Sequence, residues 1–385
     1  MEASVRRLVT GSVLVAACAA AVSCAEPTFV ESNGDGGASP DATKPEDGSR
    51  GSADAGHDVV HHADAPLDVR RDGAPHDVDV RFKKPTTLAS GLGALGAITL
   101  DVTRLYWVVR ELPSATTGGV QSVLKDGTGG VLTLAAGQPS PLDIALDLSG
   151  LYFSVNTASP PPAAPKTQCL VMRLVDGKSP TCITSASYQM VRMALADSEV
   201  LFIGVDAQTN SWLGTAAKAP GAPPNTGPAR AQPQAIAGYG TEIYVGDGSH
   251  VDAYALTGFA MLNAVCQQTC GMGDVADLLV DGDLDMAWWA TTTGAVVTAP
   301  IGSMATRTGN ILDTVMPTPQ RIARDTSYVY VTTTDSVLAV PIAGGAAPPL
   351  VLAMNEASPF GIAVDENNVY WTTADGRVRA VGVPR

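Results

Sequence analysis

Four charged residues offer most of the chemistry in this chain: Asp143, Arg192, Asp277 and Arg321. Asp143, Asp277 and Arg321 occupy one column of a recurring phrase, four residues before its anchor, and Arg192 lies beside that column. The other copies carry Ala97, Met193, Ala235 and Gly361 there. A charge that appears in only some copies of a repeat points to a local task. Carboxylates and guanidinium groups at the starts of inner strands could ring the mouth of a channel, where they would bind a cation or a charged small molecule. The alternative is a solvated charge pair that only keeps the channel wet.

Other reactive residues are scarce or repeated. His57, His61, His62 and His76 fall in a polar N-terminal stretch, which leaves His250 alone in the rest of the chain. With His250 alone, no Ser-His-Asp or Cys-His set is read in the folded part, and a His-rich zinc site has too few ligands. The His61-His62 pair could bind a transition metal adventitiously. No Gly-rich phosphate loop sits between a strand and a helix. Cys169 and Cys182 flank a hairpin that turns near Asp176-Gly177, and Cys266 and Cys270 enclose a tight loop. Both pairs are expected to be structural disulfides, each stabilising by about 2–3 kcal/mol.

The elements that position these residues follow from the repeat. An apolar run, an Asp and, five residues later, an aromatic opening a second apolar run recur with the aromatics Tyr106, Tyr152, Phe202, Tyr244, Trp288, Tyr330 and Tyr370. The upstream residues are Asp101, Asp147, Asp197, Tyr239, Asp283, Asp325 and Asp365, with Asp281 competing for the fifth place. So regular a carboxylate points to a structural turn that accepts backbone N–H groups. The aromatics are expected to pack between units.

Units of 40–50 residues built from short strands, with Gly, Asp, Asn and Thr in the connections, describe β-propeller blades. In the sixth unit the strands are expected at Arg321–Ala323, Tyr328–Thr332, Ser336–Ile342 and Pro349–Met354. The seventh unit ends after three strands. Pro85–Gly91, which parallels Val131–Gly137, is left as an orphan fourth strand. The expected fold is all-β: a seven-bladed propeller of four-stranded antiparallel blades over 85–385, closed by an N-terminal strand that completes the last blade. Two long segments, Thr157–Thr167 and Ala217–Pro233, read as rim loops.

Val364-Asp365 with Tyr370-Trp371-Thr372, and Leu100-Asp101 with Tyr106-Trp107, resemble the YWTD-type propeller repeats of the LDL-receptor family. The resemblance extends more loosely to NHL and TolB-like propellers. It implies architecture and no ligand. Two departures stand out: seven units replace the six of YWTD propellers, and Thr373 and its equivalents replace the closing Asp of the motif.

Residues 1–24 read as a secretory leader, with Arg6 and Arg7 ahead of an apolar stretch from Leu8 to Ser23. Ala21-Val22-Ser23-Cys24 resembles the lipobox of bacterial lipoproteins, and Val15-Ala16-Ala17-Cys18 is a second match. Lipidation of Cys24 leaves four cysteines, an even set suited to an oxidising compartment, whereas lipidation of Cys18 leaves an odd thiol. A plain cleaved leader without lipid is the third possibility. The absence of Asp after Cys24 resembles Gram-negative lipoproteins of the outer membrane.

Residues 25–84 are rich in Asp, Ala, Gly, Pro and His and are expected to be a disordered tether with a reach of about 45 Å. Setting aside the tether (net −6) and the leader (+1) from the total of −14 leaves −9 on residues 85–385. Such an acidic domain repels phosphate, so nucleic acid is not an expected partner and the lipid is the expected membrane contact.

The expected function is a lipid-anchored binding or scaffold module of the cell envelope, with a protein or glycan partner and no predicted cofactor. One alternative is a lactonase- or hydrolase-like enzyme with a channel-bound divalent cation held by Asp143 and Asp277. The other is an envelope assembly or maintenance factor.

Overall fold

A computed structural model describes residues 84–385, apart from 112–117, 157–167, 176–177, 188, 207–209, 269, 303–306, 315–317 and 344–347. The leader, the tether, Cys18, Cys24 and the Thr157–Thr167 segment lie outside the described residues.

Seven sheets follow one another along the chain, each built on four antiparallel strands. The first blade holds Ala94–Leu100, Arg104–Glu111, Gly118–Leu124 and Leu132–Gln138, in sequence order from the inner strand outward. The inner strands of the next five blades are Ile144–Asp147, Gln189–Leu195, Pro233–Tyr239, Val275–Asp281 and Arg321–Arg324. The seventh blade supplies Pro359–Val364, Asn368–Thr373 and Val378–Gly382, and its fourth strand is Thr86–Ala89 from the other end of the described chain. Thr86 pairs with Ala380 and Thr87 with Arg379. The fold is therefore a seven-bladed β-propeller closed by its N-terminal strand.

Both faces of each blade are buried, which explains why the strands read as continuous apolar runs. Among the described residues the core divides into seven clusters, each straddling two neighbouring blades. Successive side chains on a strand point to opposite faces. Tyr370 accordingly enters the core shared with Trp107 of the first blade, while Trp371 enters the one shared with Tyr330 of the sixth. Trp288 and Trp289 divide in the same way between the sixth and fourth blades.

The closing seam has further ties. Leu92 N–H donates to Gly376 O at 3.2 Å, and Lys125 of the first blade pairs with Asp365 of the seventh at 2.9 Å. Gly361 allows the first and seventh inner strands to meet: a Cβ there would stand 2.8 Å from Ile98 N and 2.9 Å from Ala97 Cα.

Two details differ from expectation. Ala217–Pro233 is not one long loop, because Asn225–Arg230 is the outer strand of the third blade. The fourth blade has a fifth strand, Arg307–Thr308, running parallel to Met261–Gln268 and reaching across from the fifth blade. That strand covers an edge that would otherwise be open to pairing. Both expected disulfides are present, Cys169–Cys182 within the second blade and Cys266–Cys270 at the edge of the fourth.

Candidate functional site

The repeated Asp holds its turn through three hydrogen bonds. In the sixth blade Asp325 Oδ1 accepts the N–H groups of Ser327 (2.7 Å) and Tyr328 (2.8 Å), and Oδ2 accepts the Tyr330 hydroxyl (2.6 Å). Asp101 does the same with Thr103, Arg104 and Tyr106, and Asp365 with Asn367, Asn368 and Tyr370. The five-residue spacing of Asp and Tyr is therefore the span of one hairpin closed by a hydroxyl. In the second blade Ser149 relays the contact, bonding both Asp147 and Tyr152.

Asp197 precedes Phe202, which has no hydroxyl to give. Tyr239 has no carboxylate, and Glu242 receives the Tyr244 hydroxyl in its place. In the fifth blade the residue that holds the turn is Asp281, not Asp283: Asp281 Oδ1 accepts Asp283 N–H and Leu284 N–H.

A cation from the following blade then bridges several of these turns. Lys218 reaches Asp147, Arg324 reaches Asp281 and Lys125 reaches Asp365. Burial pushes the Asp365 carboxyl up, but Lys125 and the turn N–H groups outweigh it and hold the group below its ordinary value.

Thr stands where the resembled motif would close with Asp. Thr291, Thr333 and Thr373 accept the N–H groups of Ala295, Ser336 and Arg377 through their hydroxyls, at 3.1–3.2 Å. The hydroxyl does what a carboxylate would do in that turn.

The four charged residues converge. Asp143, Arg192, Asp277 and Arg321 are at most 1% exposed, so they are enclosed between the inner strands and do not ring a solvent-open mouth. Asp143 Oδ2 accepts Met193 N–H of the third blade at 3.0 Å. Arg192 donates to Gln234 O of the fourth blade and, at 2.6 Å, to Ala276 O of the fifth. Asp277 accepts Ile322 N–H at 3.0 Å and Arg321 Nη1 at 3.3 Å from the sixth blade, and Arg192 Nη1 stands 3.9 Å from it. A contact from the third blade to the fifth must reach inward past the fourth, so the cluster is a knot on the inner side of the ring.

Elsewhere short side chains and direct backbone bonds complete the inner circuit. Thr332 donates to Phe360 O, Thr372 to Gly96 O, and Ala97 N–H to Leu142 O.

Removal from water costs each ionised group several kcal/mol, which good partners must offset. Burial pushes the Asp277 carboxyl up to about 8 and Asp143 to about 7, although Arg192 opposes both shifts. Arg192 is lowered to about 10, again by burial against the two carboxylates. Among the described residues no group of three His, Cys, Asp or Glu side chains could hold a metal ion. The charges nearest Asp277 are guanidinium groups, which oppose a cation.

Sequence reasoning missed Phe360 and Arg110. The guanidinium carbons of Arg321 and Arg110 stand 5.2 and 5.3 Å from the Phe360 ring centre. Phe360 and Arg192 each lie one residue off the column. Bulges between Met190 and Arg192, Val275 and Asp277, and Pro359 and Ile362 interrupt the register at these strand starts. A bulge re-aims a side chain, and a single sequence carries no signal for it.

The fold places the chain among seven-bladed β-propellers, and solved structures agree with that class. The WD40 domain of Neurospora crassa Pan2 matches with a TM-score of 0.55 at 12% identity, over 81% of this chain and 98% of that one. The WD40 propeller domain of Doa1 matches with a TM-score of 0.53 at 13% identity, over 78% and 96%. Virginiamycin B lyase from Staphylococcus aureus matches with a TM-score of 0.51 at 11% identity, over 78% and 99%. At such identities the likeness is one of fold alone. No family model matches the sequence, and no curated protein matches it.

Proposed function

We propose that this protein is a binding and scaffold module of the bacterial envelope that takes a protein partner on one face of the wheel. The observation that carries the reading is a pair of aliphatic side chains at equivalent hairpin tips of neighbouring blades. Val102 is 92% exposed and Leu148 is 91% exposed, each directly after a turn-holding Asp. Leu284 occupies a hairpin tip of the fifth blade and is also exposed. Large apolar groups held out on rigid turns are candidates for the buried anchors of a protein interface. Aliphatic tips side by side favour a protein over a glycan, although the turn of the fourth blade also exposes Tyr239.

The anchor belongs to the same reading. A lipid on Cys24, with Cys18 as the alternative, would tie the wheel to the outer membrane through the tether at 25–84. The two disulfides support an oxidising compartment.

The test compares the intact chain with a Val102→Glu/Leu148→Glu double variant in cross-linking from envelope fractions. The expected result is a specific cross-linked partner that the double variant loses, with thermal stability unchanged because the substitutions are on the surface. Retention of the partner by the double variant would overturn the reading. Mass spectrometry of the mature N-terminus checks the anchor, and an unmodified Cys24 would refute lipidation there.

A further inference from the structure

Arg321 holds Asp277 with one nitrogen. Its Nη1 takes that bond at 3.3 Å, while Nε and Nη2 are buried and find no acceptor among the described residues. These two nitrogens form one edge of the planar guanidinium. Their parallel N–H bonds match the paired oxygens of a carboxylate or phosphate. Arg192 Nη1 also lacks a hydrogen bond, but it faces Asp277 Oδ1 at 3.9 Å, and Arg192 spends its other two nitrogens on Gln234 O and Ala276 O.

Two unmatched donors on one edge of a buried cation describe a receptor for negative charge. Asp143 and Asp277 do not fill that role. Burial favours their protonated forms, so near neutral pH the knot carries less than its full negative charge. The Phe360 ring lies over Arg321 and is itself partly exposed, which makes it the side chain best placed to move aside.

We propose that the buried cluster on the inner strands binds a small oxyanion, a carboxylate or phosphate group, on the Nε–Nη2 edge of Arg321. Phe360 is the cover that swings away to admit the ligand. The site is separate from the hairpin-tip face, so its failure would leave the partner-binding reading intact.

The experiment measures the melting temperature of the intact chain in phosphate, in acetate and in chloride at matched ionic strength. Calorimetric titration of the same anions accompanies it, on the wild type, Arg321→Met and Phe360→Ala. Phosphate or acetate is expected to raise the melting temperature above that in chloride by mass action. Arg321→Met is expected to weaken binding at least about tenfold, the loss of a charge-assisted pair of bonds. Phe360→Ala is expected to bind more tightly, because no ring has to be displaced. A response to phosphate alone assigns the ligand as a phosphate group, and a response to acetate assigns a carboxylate. If neither anion exceeds chloride with the wild type or Phe360→Ala, the proposal is overturned. If Arg321→Met binds as the wild type does, it is overturned as well. Should Arg321→Met fail to fold, the Phe360→Ala titration decides.

Discussion

Asp277 shows how one residue can link the ring to pH. Burial raises its carboxyl from 3.8 to about 8 against the opposing pull of Arg192. The folded state therefore keeps a proton that the unfolded state releases. That contribution is complete below about pH 4 and is lost as pH rises through about 8. Asn resembles the protonated form, so Asp277→Asn is expected to remove part of the decline in stability between those limits. Asp143, raised to about 7, keeps the remainder. Melting temperatures across that range check this, and a variant that keeps the full wild-type slope would refute it. Tyr330→Phe tests the hydroxyl that defines the repeat. The bond to Asp325 at 2.6 Å is expected to be worth about 1–2 kcal/mol. Urea unfolding with an unchanged m-value is the measurement, and an unaltered midpoint would refute that role.

At the scale of elements, the closing strand and the turns matter most. Thr86–Ala89 covers the edge of Val378–Gly382 and brings Ala89 into the core shared by the first and seventh blades. Deleting residues 85–91 is expected to cost at least about 2 kcal/mol and to expose an edge that promotes aggregation. Denaturant unfolding with light scattering measures both, and a deletion as stable and monomeric as the intact chain would show that the ring does not depend on this strand. Turn chemistry is more tolerant. Ser149 relays for Asp147, Glu242 replaces an Asp, and Thr291, Thr333 and Thr373 take the place of a carboxylate. Each turn needs an oxygen where an N–H points, and more than one residue type supplies it.

At the scale of the whole molecule, the knot and the face do different work. Arg192 links the third blade to the fourth and fifth, and Asp277 links the fifth to the sixth, so these residues tie the blades from inside. Lys218, Arg324 and Lys125 bridge neighbouring blades at the turns. A wheel held from inside and at its turns presents the tips carrying Val102 and Leu148 in fixed positions. The loss of partner expected for the double Glu variant belongs to this scale, because it depends on two blades being held side by side.

The architecture was legible in the sequence because its signals are local and repeated. Apolar runs, an Asp and an aromatic five residues on recur often enough to count the blades, and the unpaired segment after Pro85 marks the closure. The Asp residues of the channel column were visible as exceptions in that pattern. Their surroundings were not. Arg192 reaches Ala276 across 84 residues and Arg321 reaches Asp277 across 44. Bulges at the strand starts decide which side chains turn inward. Pattern within a repeat determines strands and turns, whereas the packing of blade beside blade determines which charges meet on the inner side of the ring, because only that packing brings the third blade within reach of the fifth.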